Sequence, residues 1–493
     1  MKTSKIRILI MASIFIIACV LAFPPVLSAF PRQETTEDIH IKNIQEVYEM
    51  LQKYYVDEVD PKILYKGAME GMLNSLKDPY TVFIEKSSIA GVDLQDVTKG
   101  FFGGIGVTIT KANTSTPEKP AYLEVLSPIE GTPGWRAGLQ PGDLIIKIGD
   151  ISTADITMEE ILSKLRGPIG TKVDITVLRG KSLEFPLSIV RDKIEVPTVK
   201  YAKIEPDIAY VRLITFNPLT APRMEEAVVE LQKRGCTKLI LDLRNNTGGI
   251  ITGAVNVVSS FIDSGTVVST KSRIPNQNMV FTVNKNVTKF PQSMPIIVLI
   301  NKGSASASEI VAGALKDYKR AYLVGETTYG KGVVQQIFDI NQDEGFKMTV
   351  SKYYTPSDAN IDKQGIPPDF EIKTPELSEE EETALIKLFA DNKIASYVEK
   401  NKSLNKTEIE NFAKNLSKEY KLTVQLLKRL IVQEYNRKRI SPPVYDLEYD
   451  EQLRKSVDII KNTNIFELLK KTKTIHMLQD EAEQKQAQEK TAS

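Results

Sequence analysis

The chain has 493 residues, 42 % of them hydrophobic, with 64 Lys and Arg against 63 Asp and Glu. That is material for about three domains, and the near-neutral balance argues against a nucleic-acid binder, which needs a basic face to displace counterions. Only two histidines, His40 and His476, and two cysteines, Cys19 and Cys236, are present. A Ser-His-Asp triad and a Cys/His zinc site therefore lack material, and a hydrolase built on this chain must find its general base elsewhere.

Lys2, Lys5 and Arg7 precede an uncharged run over 8–23 that Pro24-Pro25 interrupts. Residues 1–32 read as a signal peptide or membrane anchor, with the basic end cytoplasmic and the body outside. Leu27-Ser28-Ala29 is a poor cleavage site, and the lipobox-like Ile16-Ile17-Ala18-Cys19 is followed by more apolar chain. A retained or slowly cleaved anchor is expected, with the body on the extracytoplasmic face of the cytoplasmic membrane.

Over 37–94 the pattern is helical: Ile41, Ile44, Val47 and Leu51, then Leu64, Ala68, Met72 and Leu76, recur at three and four spacings. Residues 95–192 turn to short β-rich runs with one helix over 158–165. Thr157 and Glu160 form a capping box that starts it, and Gly167-Pro168 ends it. Over 196–375 strands (208–216, 239–243, 296–300, 322–324, 333–340, 347–354) alternate with helices (224–233, 250–262, 306–316), an α/β core. Residues 376–470 read as a charged helical region, and 471–493 as a polar, disordered tail. The N- and C-terminal helical arms suggest a homodimer.

In the β-rich region, Phe101-Phe102-Gly103-Gly104-Ile105-Gly106-Val107 leads into an alternating strand. Successive glycines free backbone N–H groups to form a nest suited to a carboxylate, and an edge strand beside the 158–165 helix would accept an extended peptide. With Ala137-Gly138-Leu139-Gln140-Pro141-Gly142-Asp143 downstream, this region resembles a PDZ domain. The resemblance implies binding of apolar protein C-termini, with Gly104, Ile105, Gly106 and Val107 near the carboxylate. Arg166, at the end of the helix, is either a coupling residue to the active site or a contact to the helix C-terminal dipole.

Asn301-Lys302-Gly303-Ser304-Ala305-Ser306-Ala307-Ser308-Glu309 follows a buried strand and opens a helix. A serine at such a turn has its oxygen held up by a sharp backbone, with N–H groups and the helix dipole available to an oxyanion. Gly330-Lys331-Gly332-Val333-Val334-Gln335 supplies a lysine, and on a period of two Lys331, Val333 and Gln335 share a face. Burial disfavours the ammonium and would leave an amine able to take the serine proton. Gln335 could hold that amine without adding charge. Glu309 and Glu326 read as structural partners.

These segments, with Leu243-Arg244-Asn245-Asn246-Thr247-Gly248-Gly249, Gly325-Glu326, Tyr354-Thr355-Pro356 and Gly365-Ile366-Pro367-Pro368-Asp369, resemble the carboxyl-terminal processing peptidases, or tail-specific proteases, over about 40–375. The resemblance implies an α/β peptidase core of crotonase-like layout with an inserted PDZ domain. It implies Ser306 as nucleophile, Lys331 as base 25 positions on and Gln335 four beyond. Oxyanion donors would be the backbone of Gly248 or Gly249, and of Ala307. Thr247 stands where the family often has proline. No cofactor or metal is expected, and the substrates would be proteins with apolar C-termini. The competing readings are a catalytically silent PDZ scaffold or chaperone, and a crotonase-like acyl-transfer enzyme.

Overall fold

The computed structural model describes residues 36–492 apart from 86–100, 112–119, 130–131, 141, 181, 196, 342–343, 374–376, 402, 438 and 440–441. The expected leader over 1–32 lies outside the described residues; among those described, no helix is long and apolar enough to cross a membrane. The chain divides into two units, residues 1–83 and 84–493. In the first, α1 (Thr36–Tyr54) is followed by α2 (Pro61–Asn74). Asp60 caps α2 by accepting from the N–H of Lys62 at 2.9 Å, and Pro61 occupies the first helical position, where no N–H is needed. Ile41, Ile44, Val47 and Leu51 form the expected stripe on α1, and all four are exposed.

The second unit begins with the β-rich module. Here β2 (Phe101–Gly104) pairs antiparallel with β9 (Asp192–Glu195), following a short β1 (Val82–Glu85) at the unit boundary. The main sheet has the order β3 (Val107–Thr110), β4 (Leu123–Pro128), β5 (Leu144–Ile148), β7 (Lys172–Arg179), β8 (Leu183–Val190), with β6 (Ile151–Ser152) on β5. Strand β3 stands at the end of that order. Two helices join it, α3 (Pro133–Arg136) and α4 (Met158–Leu165). The capping box of α4 forms as expected, Thr157 N–H to Glu160 Oε2 at 2.8 Å and Glu160 N–H to Thr157 Oγ1 at 3.2 Å. Ile161 and Leu165 bury its apolar face against Leu123, Val125, Ile145 and Val177. Asp143 is buried and takes a fork from Arg179 at 2.7 and 2.8 Å, which makes the aspartate of the Pro-Gly-Asp string a structural residue.

The α/β region is built on a six-stranded sheet, β10 (Val199–Ile204), β11 (Ile208–Leu213), β12 (Lys238–Asp242), β15 (Ile296–Ile300), β16 (Tyr322–Gly325), β19 (Phe370–Glu371), parallel except for the β10–β11 pair. Its central strands are continuous apolar runs because both faces are covered. Ile296, Val298 and Ile300 face α5 (Thr220–Lys233), α6 (Ile251–Ser259) and α7 (Ala307–Asp317). Ile297 and Leu299 face the other way, onto Leu453, Val457 and Ile460 of α12 (Glu451–Asn462) and Ile465 and Leu469 of α13 (Ile465–Lys471). A second sheet joins β14 (Met279–Thr282), β13 (Thr266–Ser272), β18 (Glu344–Tyr354) and β17 (Val333–Asp339), with β18 antiparallel to β13 and β17.

The C-terminal region over 376–470 is helical as expected, and it has two parts. Its first part, α8 (Glu379–Ala390), α9 (Lys393–Lys400), α10 (Lys406–Tyr420) and α11 (Val424–Arg437), closes on its own cluster around Leu388, Leu416, Leu427 and Ile431. Its second part, α12 and α13, is a layer of the α/β core. The tail over 471–493 is not disordered but forms α14 (Ile475–Ala492). Its Ala, Gln, Glu and Lys residues are good helix formers, and its first turn is anchored. Ile475 is buried, its N–H donates to Asp317 Oδ1 at 2.8 Å, and Gln479 donates to the Asn360 carbonyl at 2.7 Å.

Candidate active site

The turn between β15 and α7 delivers Ser306 with φ 55° and ψ −114°, a sparsely populated conformation for a residue with a Cβ. The surroundings hold it there: Ser306 N–H donates to Glu309 Oε2 at 2.8 Å, and its carbonyl accepts from the Tyr353 hydroxyl at 3.3 Å. The flanking serines are already committed. Ser304 Oγ donates to the Leu243 carbonyl at 2.8 Å and Ser308 Oγ to the Asn246 carbonyl at 2.7 Å, and both residues are buried. Of the three serines in the small-residue string, Ser306 is the half-buried one.

Lys331 lies in the loop just ahead of β17, half-buried, and its Nζ donates to Gln335 Oε1 at 3.1 Å. The expected same-face pair is therefore made, although Lys331 precedes the strand. Glu309 fastens the lysine loop to the nucleophile turn. This wholly buried carboxylate accepts from Ser306 N–H and from Lys331 N–H at 2.9 Å on one oxygen. The other oxygen takes Gly330 N–H at 2.7 Å and Thr328 Oγ1 at 2.6 Å. Burial pushes the Glu309 carboxyl above its ordinary value, against the lowering effect of those four donors.

The Gly-Gly turn packs on the same serine. A Cβ on Gly248 would lie 2.9 Å from the Ser306 Cβ and from the Ala307 nitrogen; one on Gly249, φ 148°, would lie 2.1 Å from the Phe216 carbonyl oxygen. Both positions require glycine. They differ in their N–H groups. Gly248 N–H donates to Asn246 Oδ1 at 2.9 Å, which corrects the expectation that it could serve as an oxyanion donor. The Gly248 carbonyl accepts from Phe216 N–H at 3.0 Å, so the Gly249 N–H on the same peptide plane points the opposite way. Among the described residues, no hydrogen bond engages the N–H of Gly249 or of Ala307, the first residue of α7.

Several residues of the site escape a reading by residue type. Asn246 is buried and joins its own loop to two other segments: its Nδ2 donates to the Leu213 carbonyl at 3.0 Å, its Oδ1 takes Gly248, and its carbonyl takes Ala305 N–H and Ser308 Oγ. Thr328 and Tyr353 likewise act from a distance in sequence. The Ser-x-x-Glu spacing over 306–309, a helix-start signature, was the available signal for Glu309. Of the two histidines, His476 lies on α14 at 3.7 Å from Asp480, half-exposed, and His40 is exposed on α1.

In the β-rich module, Gly104 ends β2, Ile105 and Gly106 form the connection, and Val107 opens β3. Ile105 is buried and its carbonyl accepts from Gly134 N–H at 2.6 Å. Gly106, φ 72°, leaves no room for a Cβ, which would lie 2.3 Å from Thr132. The carboxyl end of α4 is satisfied by Arg191, whose Nε and Nη2 donate to the carbonyls of Leu165 and Lys164 at 3.1 and 2.6 Å. Arg166 instead lays its guanidinium over the Phe102 ring, 4.3 Å from the centroid.

Residues 207–372 match the model of peptidase family S41, residues 124–179 that of a PDZ domain, and residues 27–88 that of the activating protease CtpB N-terminal domain. A "Carboxy-terminal-processing protease" of Bartonella bacilliformis is 36 % identical over 373 residues, 75 % of this chain and 82 % of that protein. A "Probable CtpA-like serine protease" of Staphylococcus aureus is 36 % identical over 340 residues, 69 % of this chain and 66 % of that protein. Among solved structures, a photosystem II D1 C-terminal processing protease matches with 29 % identity and a TM-score of 0.38, over 67 % of this chain and 86 % of that one. Fold and site together define a PDZ-bearing serine protease. The chain belongs to peptidase family S41, among the carboxy-terminal-processing proteases.

Proposed function

We propose that this protease is an extracytoplasmic endopeptidase that captures apolar protein C-termini on its PDZ domain and cleaves near them by a Ser-Lys mechanism. The observation that carries the reading is the joint state of the three elements: Ser306 on a strained turn, Lys331 Nζ held by Gln335, and Glu309 bonding the backbones of both. The neutral Lys331 amine takes the Ser306 proton as Oγ attacks the peptide carbonyl carbon. Negative charge forms on the carbonyl oxygen, where the N–H groups of Gly249 and Ala307 donate, aided by the α7 dipole. The ammonium then protonates the departing amine. Water, deprotonated by the same lysine, releases the acyl group and restores Ser306.

Among the described residues β3 stands last in its sheet, which supports an extended peptide as the bound form. Arg166 is the coupling residue in this reading. Its aromatic partner lies on β2, β2 pairs with β9, and Glu195 of β9 holds Arg223 of α5 through two 2.6 Å bonds. The basic, apolar N-terminus supports membrane attachment, and the exposed stripe of α1 supports a homodimer, which sedimentation of the purified chain checks.

The test is incubation with an unstructured protein bearing an apolar C-terminal tail. Ser306→Ala and Lys331→Ala should each lose at least about a thousandfold in rate. Cleavage undiminished in either variant sinks the mechanism. Arg166→Ala should lower the rate while tail affinity, read by fluorescence polarisation, stays unchanged; equal rates in the two proteins remove the coupling role.

A further inference from the structure

Arg244 stands two residues beyond β12, at the head of the loop that delivers Asn246, Gly248 and Gly249. Its guanidinium is nearly withdrawn from solvent, with 12 % of the side chain exposed. One side of the fork meets Asp242, the last residue of β12: Nε to Oδ1 at 3.0 Å and Nη2 to Oδ2 at 2.7 Å. The other side meets a residue 206 positions later, Asp450: Nη1 to Oδ1 at 2.8 Å and Nη2 to Oδ2 at 2.6 Å. Nη1 also reaches Gln452 Oε1 at 3.1 Å. Asp242 is fully buried and takes the Tyr210 hydroxyl at 2.7 Å as well.

Asp450 is the N-cap of α12, where its Oδ1 accepts from Leu453 N–H at 2.9 Å. Gln452 in turn donates to the Ile372 carbonyl at 2.9 Å, beyond β19. The helix that covers the rear face of the sheet thus grips, through one arginine, the chain segment that turns into the Gly-Gly loop. The preceding residue is part of the same clamp, because the Leu243 carbonyl receives Ser304 Oγ from the nucleophile turn. The loop is fastened by Arg244 at its head, by Asn246 in its middle and by the Phe216–Gly249 bridge at its end. If the head slackens, the Gly249 N–H moves relative to Ser306. An arginine fork is suited to this task, since two parallel bonds on each side fix orientation as well as position.

We infer that Asp450 and Arg244 are positioning residues for peptide-bond hydrolysis: the C-terminal helix α12, through the Asp450–Arg244–Asp242 bridge, sets the loop that presents the Gly249 N–H to the oxyanion. The inference rests on the Ser-Lys reading above. It makes the C-terminal layer part of the catalytic apparatus rather than only a cover for the sheet.

Asp450→Asn tests it on the full chain. Asparagine keeps the cap acceptor for Leu453 N–H and the side-chain size but loses the charge that pairs with Arg244. With the unstructured tail-bearing substrate, kcat should fall about tenfold or more, as expected for a misplaced catalytic donor, with KM within about twofold of the wild type. Labelling of Ser306 by a fluorophosphonate should slow in parallel. Asp458→Asn, on the exposed side of the same helix, should leave both constants unchanged. Melting curves confirm that assays are run on folded protein. A kcat equal to the wild type, or a loss expressed in KM alone, overturns the inference. Should the asparagine variant fail to fold, Asp450→Ser, which still caps the helix but is too short to reach Arg244, is held to the same criterion. Failure of the Ser-Lys reading itself is seen separately, as cleavage that survives Ser306→Ala.

Discussion

A single buried carboxylate ties the Ser306 turn to the Lys331 loop. Glu309 accepts from the backbones of Ser306, Gly330 and Lys331, so its geometry fixes where the serine and lysine side chains start. Glu309→Gln keeps the size but turns an NH₂ toward donors, and should lower kcat by roughly tenfold to a hundredfold, as a displacement of about 1 Å does. Steady-state kinetics at matched folded fraction check this. The pH dependence has a definite sign. Burial raises the Glu309 pKa on folding, so its contribution to stability is full below the ordinary carboxylate range and is lost as pH rises through the raised value. Denaturant midpoints taken from about pH 4 to about pH 7 should therefore show the wild type losing ground against Glu309→Gln as pH increases. Ser306, Lys331 and Gln335 were singled out by residue type and by the family resemblance, and the structure brings Lys331 and Gln335 together. Asn246 was not legible as an anchor, since Leu213, Ala305 and Ser308 lie on segments that only folding brings to it.

At the scale of elements, the PDZ module joins the core through β9, and one ion pair marks the joint. Glu195 takes the Arg223 fork, whose other nitrogen pairs with Glu226 on α5. The hydrogen bond and charge of Arg223 hold the Glu195 carboxyl below its ordinary value, against a smaller opposing effect of burial. The sign is opposite to that of Glu309: this stabilisation is present above the ordinary carboxylate range and is lost as pH falls through the lowered value. Both side chains are about a third or more exposed, so screening limits the pair to about 1 kcal/mol or less. Glu195→Gln should cost no more than that near pH 7, and the difference from wild type should close by about pH 3, measured by urea unfolding. The module itself was legible from its glycine strings and from the capping box of α4. That Arg191, and not Arg166, closes the end of that helix follows from the return of β8 beside it, which local sequence does not reveal.

For the whole molecule, the rear layer is decisive. A chain ending at residue 375, where the alternating α/β pattern stops, would lose Leu453, Val457, Ile459, Ile460, Ile465 and Leu469 from the second cluster. At about 1.5–3 kcal/mol for each buried aliphatic side chain, that is about 9–18 kcal/mol. It matches or exceeds the roughly 5–15 kcal/mol by which domains are stable. Such a chain should fail to give a cooperative melting transition and should aggregate, as light scattering would report. A chain that keeps α12 and α13 retains the cover.

The amino-acid sequence alone was enough to determine the class of protein, the PDZ module and the α/β core, and to single out Ser306, Lys331 and Gln335 as candidate site residues. Each rests on side-chain chemistry or spacing within a few tens of residues, such as the 25 from Ser306 to Lys331. Tertiary structure decided which glycine N–H is available, because Gly248 is claimed by Asn246 and Gly249 is not. It also decided that the C-terminal helices belong to the core and that residues 475–492 are helical. Those outcomes depend on contacts such as Arg244 with Asp450, made between segments 206 residues apart, which no local periodicity encodes. The shortage of histidine already pointed away from a histidine base; the fold shows that Lys331 Nζ is held by Gln335.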